Sequence, residues 1–283
     1  MHKIIANLRI LLLFAAAIGL WLASSHSSSQ ARGGGNEVDV ELVLAVDISY
    51  SMDLEEQKLQ RDGYIKALTS PDVLQAIRAG QIGKIAVTYF EWAGADVQRL
   101  VVPWQIIDGP ETADAFVAKL AAAPISRWYR TSISGAILFG QQLFENNGYD
   151  SVRRVIDISG DGANNQGAAV TLARDRALQA GIVINGLPIM INNGRRSVFD
   201  MDNLDDYYSD CVIGGPGAFM IAITERDQFV QATRTKILRE IASLPSRHIP
   251  AAVQVIPANS ATEDRQKAEC GIGERQWNER YRN

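Results

Sequence analysis

The sequence predicts an α/β protein: a three-layer, doubly wound, mostly parallel sheet flanked by helices, with one antiparallel hairpin at an edge. Three observations predict it. Apolar runs such as "VDVELVLAV" at 38–46 and "IVINGLPIMI" at 182–191 are close to continuous, which suits strands buried on both faces. Segments with helical spacing separate these runs, the order that a parallel sheet with crossover helices requires. Polar residues collect where strands run into loops, notably "VDISYSMD" at 46–53 and "ISGDGANNQG" at 158–167, and ligands of such sheets gather at the carboxyl ends of the strands.

Taken in order, "VDVELVLAV" reads as the first strand and "DLEEQKLQRDGYIKAL" as a helix, with Leu54, Lys58, Arg61 and Ile65 at three- and four-residue spacing and acids in its first turn. A short helical piece, "PDVLQAIRAG", precedes "KIAVTYFEWAG" and "DVQRLVVPW", two strand-like runs whose Gly-containing turn predicts the hairpin. "PETADAFVAKLAAA" and "TSISGAILFGQQLFENN" read as helices, "RRVIDISGDG" as a strand entering a loop, and "AAVTLARDRALQAG" as a helix ending at Gly181. Next come the strand at 182–191, a further strand in "AFMIAIT", and a long amphipathic helix in "ERDQFVQATRTKILREIASL". The segment 192–216, with "DMDNLDDYYSDC", interrupts the alternation and is expected as an inserted loop over the same end of the sheet. The domain is expected over 38–256, and 257–283 as a charged tail without clear periodicity.

The first 31 residues combine basic Lys3 and Arg9, an apolar run from Ile10 to Ala23, and the small-x-small pattern Ser29-Gln30-Ala31. That run falls short of the roughly 20 residues needed to span a bilayer. It reads as a secretory signal peptide cut near Ala31, with 32–37 ("RGGGNE") as a flexible lead-in and no membrane span after cleavage; an uncleaved anchor is the rival reading. Export to the periplasm or outside the cell follows. Removing Lys3 and Arg9 takes the formal charge from −4 to −6, which gives no electrostatic case for nucleic-acid binding. Cys211 and Cys270 either form one bridge in an oxidising compartment, closing a loop worth about 4 kcal/mol, or remain two unrelated thiols. Of three histidines, His2 and His26 leave with the signal, and only His248 remains. This removes His-ligated zinc and argues against a Ser-His-Asp triad.

Asp47, Ser49 and Ser51 stand at i, i+2 and i+4 where the first strand turns into a helix. A tight loop there aims one carboxylate and two hydroxyls at a common point, all hard oxygen donors that suit Mg²⁺, and equally Mn²⁺ or Ca²⁺. Taken alone, the same residues also suit a helix cap and its turn.

The D-x-S-x-S pattern resembles the metal-ion-dependent adhesion site of von Willebrand factor type A domains, a Rossmann-like fold. Thr131 in "RTSISGAIL" and Asp161 in "SGDG" stand where that resemblance expects a Thr at a helix start and an Asp in a DG turn. More narrowly, "EWAG", "SGDGANNQG", "NGLPI" and "VIGGPGAF" resemble the bacterial family DUF1194. The resemblance implies that Ser49, Ser51 and Thr131 bind the ion directly, and that Asp47 and Asp161 act largely through water. It further implies a protein partner presenting an Asp or Glu, and no enzymatic activity. Tyr50 and Arg130 depart from the glycines common at their positions; they either narrow access and touch the partner, with Asn164 and Asn165 on the same rim, or are solvated loop residues. Two alternatives stand beside this reading. One is a purely structural metal. The other is a phosphatase-type hydrolase suggested by "GDGANN", although its second acid would be Ser49, and Asn165 stands where its motif has Asp.

Overall fold

The computed structural model describes residues 36–191, 201–241, 255–258 and 267–280. The expected signal peptide at 1–31, most of the lead-in and His248 lie outside the described residues.

The first strand, β1 (Glu41–Asp47), is buried along its whole length, as its unbroken apolar run requires. It pairs in parallel with β2 (Ile85–Trp92) on one side and with β4 (Arg154–Gly160) on the other. β3 (Gln98–Ile107) runs antiparallel to β2, so the edge hairpin is present. Beyond β4 come β5 (Ile182–Pro188) and β6 (Phe219–Ile221), both parallel, then β7 (Val255–Pro257), antiparallel. The order is β3-β2-β1-β4-β5-β6-β7. The chain leaves β1 to one side, builds β2 and β3, then returns to place β4 on the other side. The carboxyl ends of β1 and β4 therefore flank the switch in strand order, the crevice where α/β sheets bind ligands.

Strand alternation splits β1 between two cores. Leu42, Leu44 and Val46 face helices α1 (Leu54–Leu68), α2 (Pro71–Arg78), α3 (Pro110–Ala122) and α7 (Phe229–Ile241). Val43 and Ala45 face α4 (Ile133–Leu143) and α5 (Val170–Gln179). This is the three-layer arrangement expected. Trp92 is fully buried, and Trp104 packs against Phe144 with its indole N–H donating to the Leu143 carbonyl, as their strand positions suggest.

Two expectations are corrected. The described part of the supposed inserted loop is core: α6 (Leu204–Tyr207) and a π turn (Tyr208–Val212) bury Leu204, Tyr207, Tyr208, Cys211 and Val212 under the second helical layer. Its acids Asp205, Asp206 and Asp210 dominate the sequence, while the apolar residues between them decide the packing. The supposed charged tail also contributes structure, supplying Pro257 to β7 and a helix, α8 (Ile272–Arg280), tied back by a Cys211–Cys270 disulfide. Only Gly273 is buried in α8, so the helix lacks the apolar stripe that periodicity detects.

A fully buried ionic cluster joins β4 to α7. Lys236 Nζ lies 2.7 Å from Asp157 Oδ1 and also pairs with Glu240, whose carboxylate accepts a 3.2 Å bond from Asn185. The Tyr64 hydroxyl donates to Asp157 at 3.4 Å. Burial first, then the Asp157 charge, raises Glu240 from 4.5 to about 7. Folding therefore favours the protonated carboxyl. The contribution is present in full below the unfolded value and is lost as pH rises through about 7. In urea unfolding, wild type should lose about 2 kcal/mol relative to Glu240→Gln between about pH 5 and 7.5. Equal pH slopes in the two proteins would contradict it.

Candidate functional site

Asp47 is delivered by β1 to the crevice and is fully buried there. Its Oδ1 accepts a 2.7 Å bond from the Ser49 amide, an Asx-type turn that folds the strand end back on itself. Ser49 Oγ and Ser51 Oγ lie 2.8 Å apart, and Ser51 Oγ donates to Asp161 Oδ1 at 2.7 Å. The turn ends at Asp53, which forms a reciprocal capping box with Glu56 and starts α1. Asp161 approaches this turn because β4 ends in a glycine. A Cβ on Gly160 would sit 2.8 Å from Asp47 Oδ2, so any side chain there would push the two loops apart.

Thr131 precedes α4 and is clasped to the loop after Asp161. Its amide donates to Asn165 Oδ1 at 3.0 Å, and the Asn165 amide donates back to the Thr131 carbonyl at 2.8 Å. Ser51, Thr131 and Asp161 line one small pocket with Asn165, while Asp47 and Ser49 lie behind it along the hydrogen-bonded chain. All five sequence-predicted residues are thus brought to one place.

The electrostatics of this cluster favour a cation. Burial, and then the Asp161 charge, push the Asp47 carboxyl well above the usual carboxylate range, against the bonds from Ser49 and from the Asp161 backbone amide. Asp47 Oδ2 is buried with no hydrogen-bond partner, which is costly for a carboxylate. Two carboxylates and three hydroxyls form a hard-oxygen set that fits Mg²⁺, Mn²⁺ or Ca²⁺. Among the described residues no three His, Cys, Asp or Glu side chains gather in one group, so a cation here would depend on the hydroxyls as well.

The expected rim is only partly as read. Tyr50 is half exposed and stacks on Tyr129 at 4.4 Å, with the Arg127 guanidinium 4.5 Å from its ring. Asn165 holds the Thr131 clasp. Asn164, expected on the rim, is fully buried. Its Oδ1 accepts from the Ser134 amide at 2.9 Å, and its Nδ2 donates to Ala168 and to Glu274. Arg130 has a left-handed backbone at φ 75°, which explains why glycine suits that position, and its guanidinium lies 3.2 Å from the Trp277 ring centroid.

Sequence reasoning missed Tyr129, which is 71% exposed and stacks on Tyr50, next to Trp128, which is 52% exposed and pairs by a backbone bridge with Ser49. An aromatic pair among basic residues in "SRWYR" was the available signal. It also missed Gly273 and Gln276, which complete the pocket wall from α8. No local pattern marks those two.

Comparison with solved structures agrees with the fold. The pilus adhesin SpaC from Lactobacillus rhamnosus GG, in its open conformation, superposes with a TM-score of 0.52 at 12% identity, covering 74% of this chain and 31% of that one. A von Willebrand factor type A protein from Catenulispora acidiphila gives 0.49 at 12%, covering 72% and 43%. Proximal thread matrix protein 1 from the mussel byssus, solved with a zinc-occupied MIDAS motif, gives 0.48 at 11%, covering 78% and 48%. The chain spans less than half the length of these three. No curated protein matches it. With residues 37–245 matching the family model described as "Protein of unknown function (DUF1194)", the chain belongs to the DUF1194 family.

Proposed function

We propose that this chain is an exported, von Willebrand A-like recognition domain that holds a divalent cation, Mg²⁺ first, through Asp47, Ser49, Ser51, Thr131 and Asp161, and meets a protein partner there without chemistry of its own. The observation that carries this reading is the buried, partnerless Asp47 Oδ2 at the head of a hydroxyl chain leading to Asp161. A bound cation would supply an electrophilic centre that accepts a carboxylate from an Asp or Glu of the partner.

This chain's own residues prepare the place. Ser49 and Ser51 fix the spacing between the two acids, and the Asn165 clasp fixes Thr131 against Asp161. Tyr50, Trp128 and Tyr129 offer exposed aromatic area with few rotatable bonds, which suits contact with another protein at low entropy cost. The signal-like residues 1–31 and the Cys211–Cys270 bridge support export into an oxidising compartment. A serine in place of the second acid, and the use of Asn165 as a clasp, argue against the phosphatase alternative.

The test is a comparison of what co-purifies from the native host in Mg²⁺, in EDTA, and with Thr131→Ala. One partner retained in Mg²⁺ and lost in the other two is expected, together with no Mg²⁺-dependent phosphatase activity. Partner retention in EDTA, or hydrolysis that Thr131→Ala removes, would refute the reading.

A further inference from the structure

Helix α8 lies beyond the residues matched by the family, yet it is built into the pocket. Gly273 packs so tightly that a Cβ would come within 2.2 Å of the Asn164 carbonyl oxygen. Glu274 Oε1 accepts a 2.7 Å bond from Asn164 Nδ2. Gln276 lines the pocket together with Ser51 and Thr131, and Trp277 lies under the Arg130 guanidinium. The approach to the helix is anchored three ways: by the disulfide to Cys211, by the Ala268 amide donating to Asp210 Oδ2 at 2.7 Å, and by the Tyr207 hydroxyl donating to the Cys270 carbonyl at 3.4 Å.

Asn164 is the shared element. One end of its side chain meets Glu274, and the other accepts from Ser134 in the first turn of α4, three residues from Thr131. The next residue, Asn165, makes the two-bond clasp to Thr131. A helix from the far end of the chain is thereby connected, through one amide side chain, to the loops carrying Thr131 and Asp161. Arg130, held at positive φ where glycine would be relaxed, ties the Thr131 loop to the same helix by a second route.

We propose that α8 is a latch on this pocket, with Glu274 a positioning residue that acts through Asn164 on Thr131 and Asp161, and the Cys211–Cys270 bridge holding the latch in place. The latch orders the two loops that the cation reading requires, and in that respect it deepens the reading above. Its contacts involve no ion, so the two can be tested apart.

Hydrogen exchange is measured without metal on the full chain, comparing wild type with Glu274→Ala, Glu274→Gln and Cys270→Ser. In Glu274→Ala and Cys270→Ser, the amides of Thr131, Ser134 and Asn165 should exchange at least about tenfold faster, while those of β1 stay protected. Glu274→Gln keeps an acceptor and should restore protection. Faster exchange confined to 267–280, with Thr131, Ser134 and Asn165 unchanged, would overturn the latch. Mn²⁺ alone is then titrated by water-proton relaxation. Binding at least about fivefold weaker in Glu274→Ala than in wild type supports the latch, and equal binding overturns its action on the pocket. Absence of Mn²⁺ binding in wild type would overturn the cation reading, while the metal-free exchange result still decides the latch.

Discussion

Lys236→Met should lower the unfolding free energy by about 3–5 kcal/mol, because it leaves two buried carboxylates without their cation. Lys236, Asp157 and Glu240 are all fully inaccessible. Lys236 depends on both carboxylates, and each carboxylate on Lys236, for its desolvation to be offset. Burial alone would depress the lysine; the two carboxylates outweigh it and raise Lys236 above its ordinary value. The cost should be recovered largely when all three are replaced together by apolar residues of similar size, since a buried ionic cluster is worth little against good packing. Urea unfolding at neutral pH of the single and triple variants checks both statements. A single variant within about 1 kcal/mol of wild type would show that the cluster is not the closed unit described.

Asp47→Asn should reverse its effect on stability with Mg²⁺. Without the ion, the wild-type chain buries a carboxylate oxygen that has no partner, so the neutral side chain should stabilise it by about 1 kcal/mol, roughly 2–4 °C in a domain of this size. With Mg²⁺ at about 100 times its dissociation constant, wild type should gain about 2.7 kcal/mol that the variant does not. Thermal unfolding with EDTA and with Mg²⁺ should therefore give two orders of stability. A variant less stable than wild type in both conditions would assign Asp47 a structural role.

Much of this was legible in the sequence, for reasons that differ by element. Strands such as β1 announce themselves because burial on both faces leaves an unbroken apolar run. The five oxygen residues are legible because each sits at a strand end or helix start, where local turn chemistry fixes its direction. Asn164 was misread because a polar residue between Ala163 and Asn165 gives no sign of being fully buried; its partners come from α4 and α8. Helix α8 was invisible for a related reason. Its hold on the domain is one buried glycine, one disulfide and a few polar contacts, none of which makes a periodic pattern. The Lys236 cluster escaped notice because Asp157 is a single acid in an apolar strand, and its partners lie on a helix far along the chain.

The most direct test of the central claim is a calorimetric Mg²⁺ titration of wild type beside Asp47→Ala, with far-UV circular dichroism on both. The account predicts one binding event in wild type, no measurable binding in Asp47→Ala, and nearly superimposable spectra. Unchanged Mg²⁺ binding in a folded Asp47→Ala protein would contradict it.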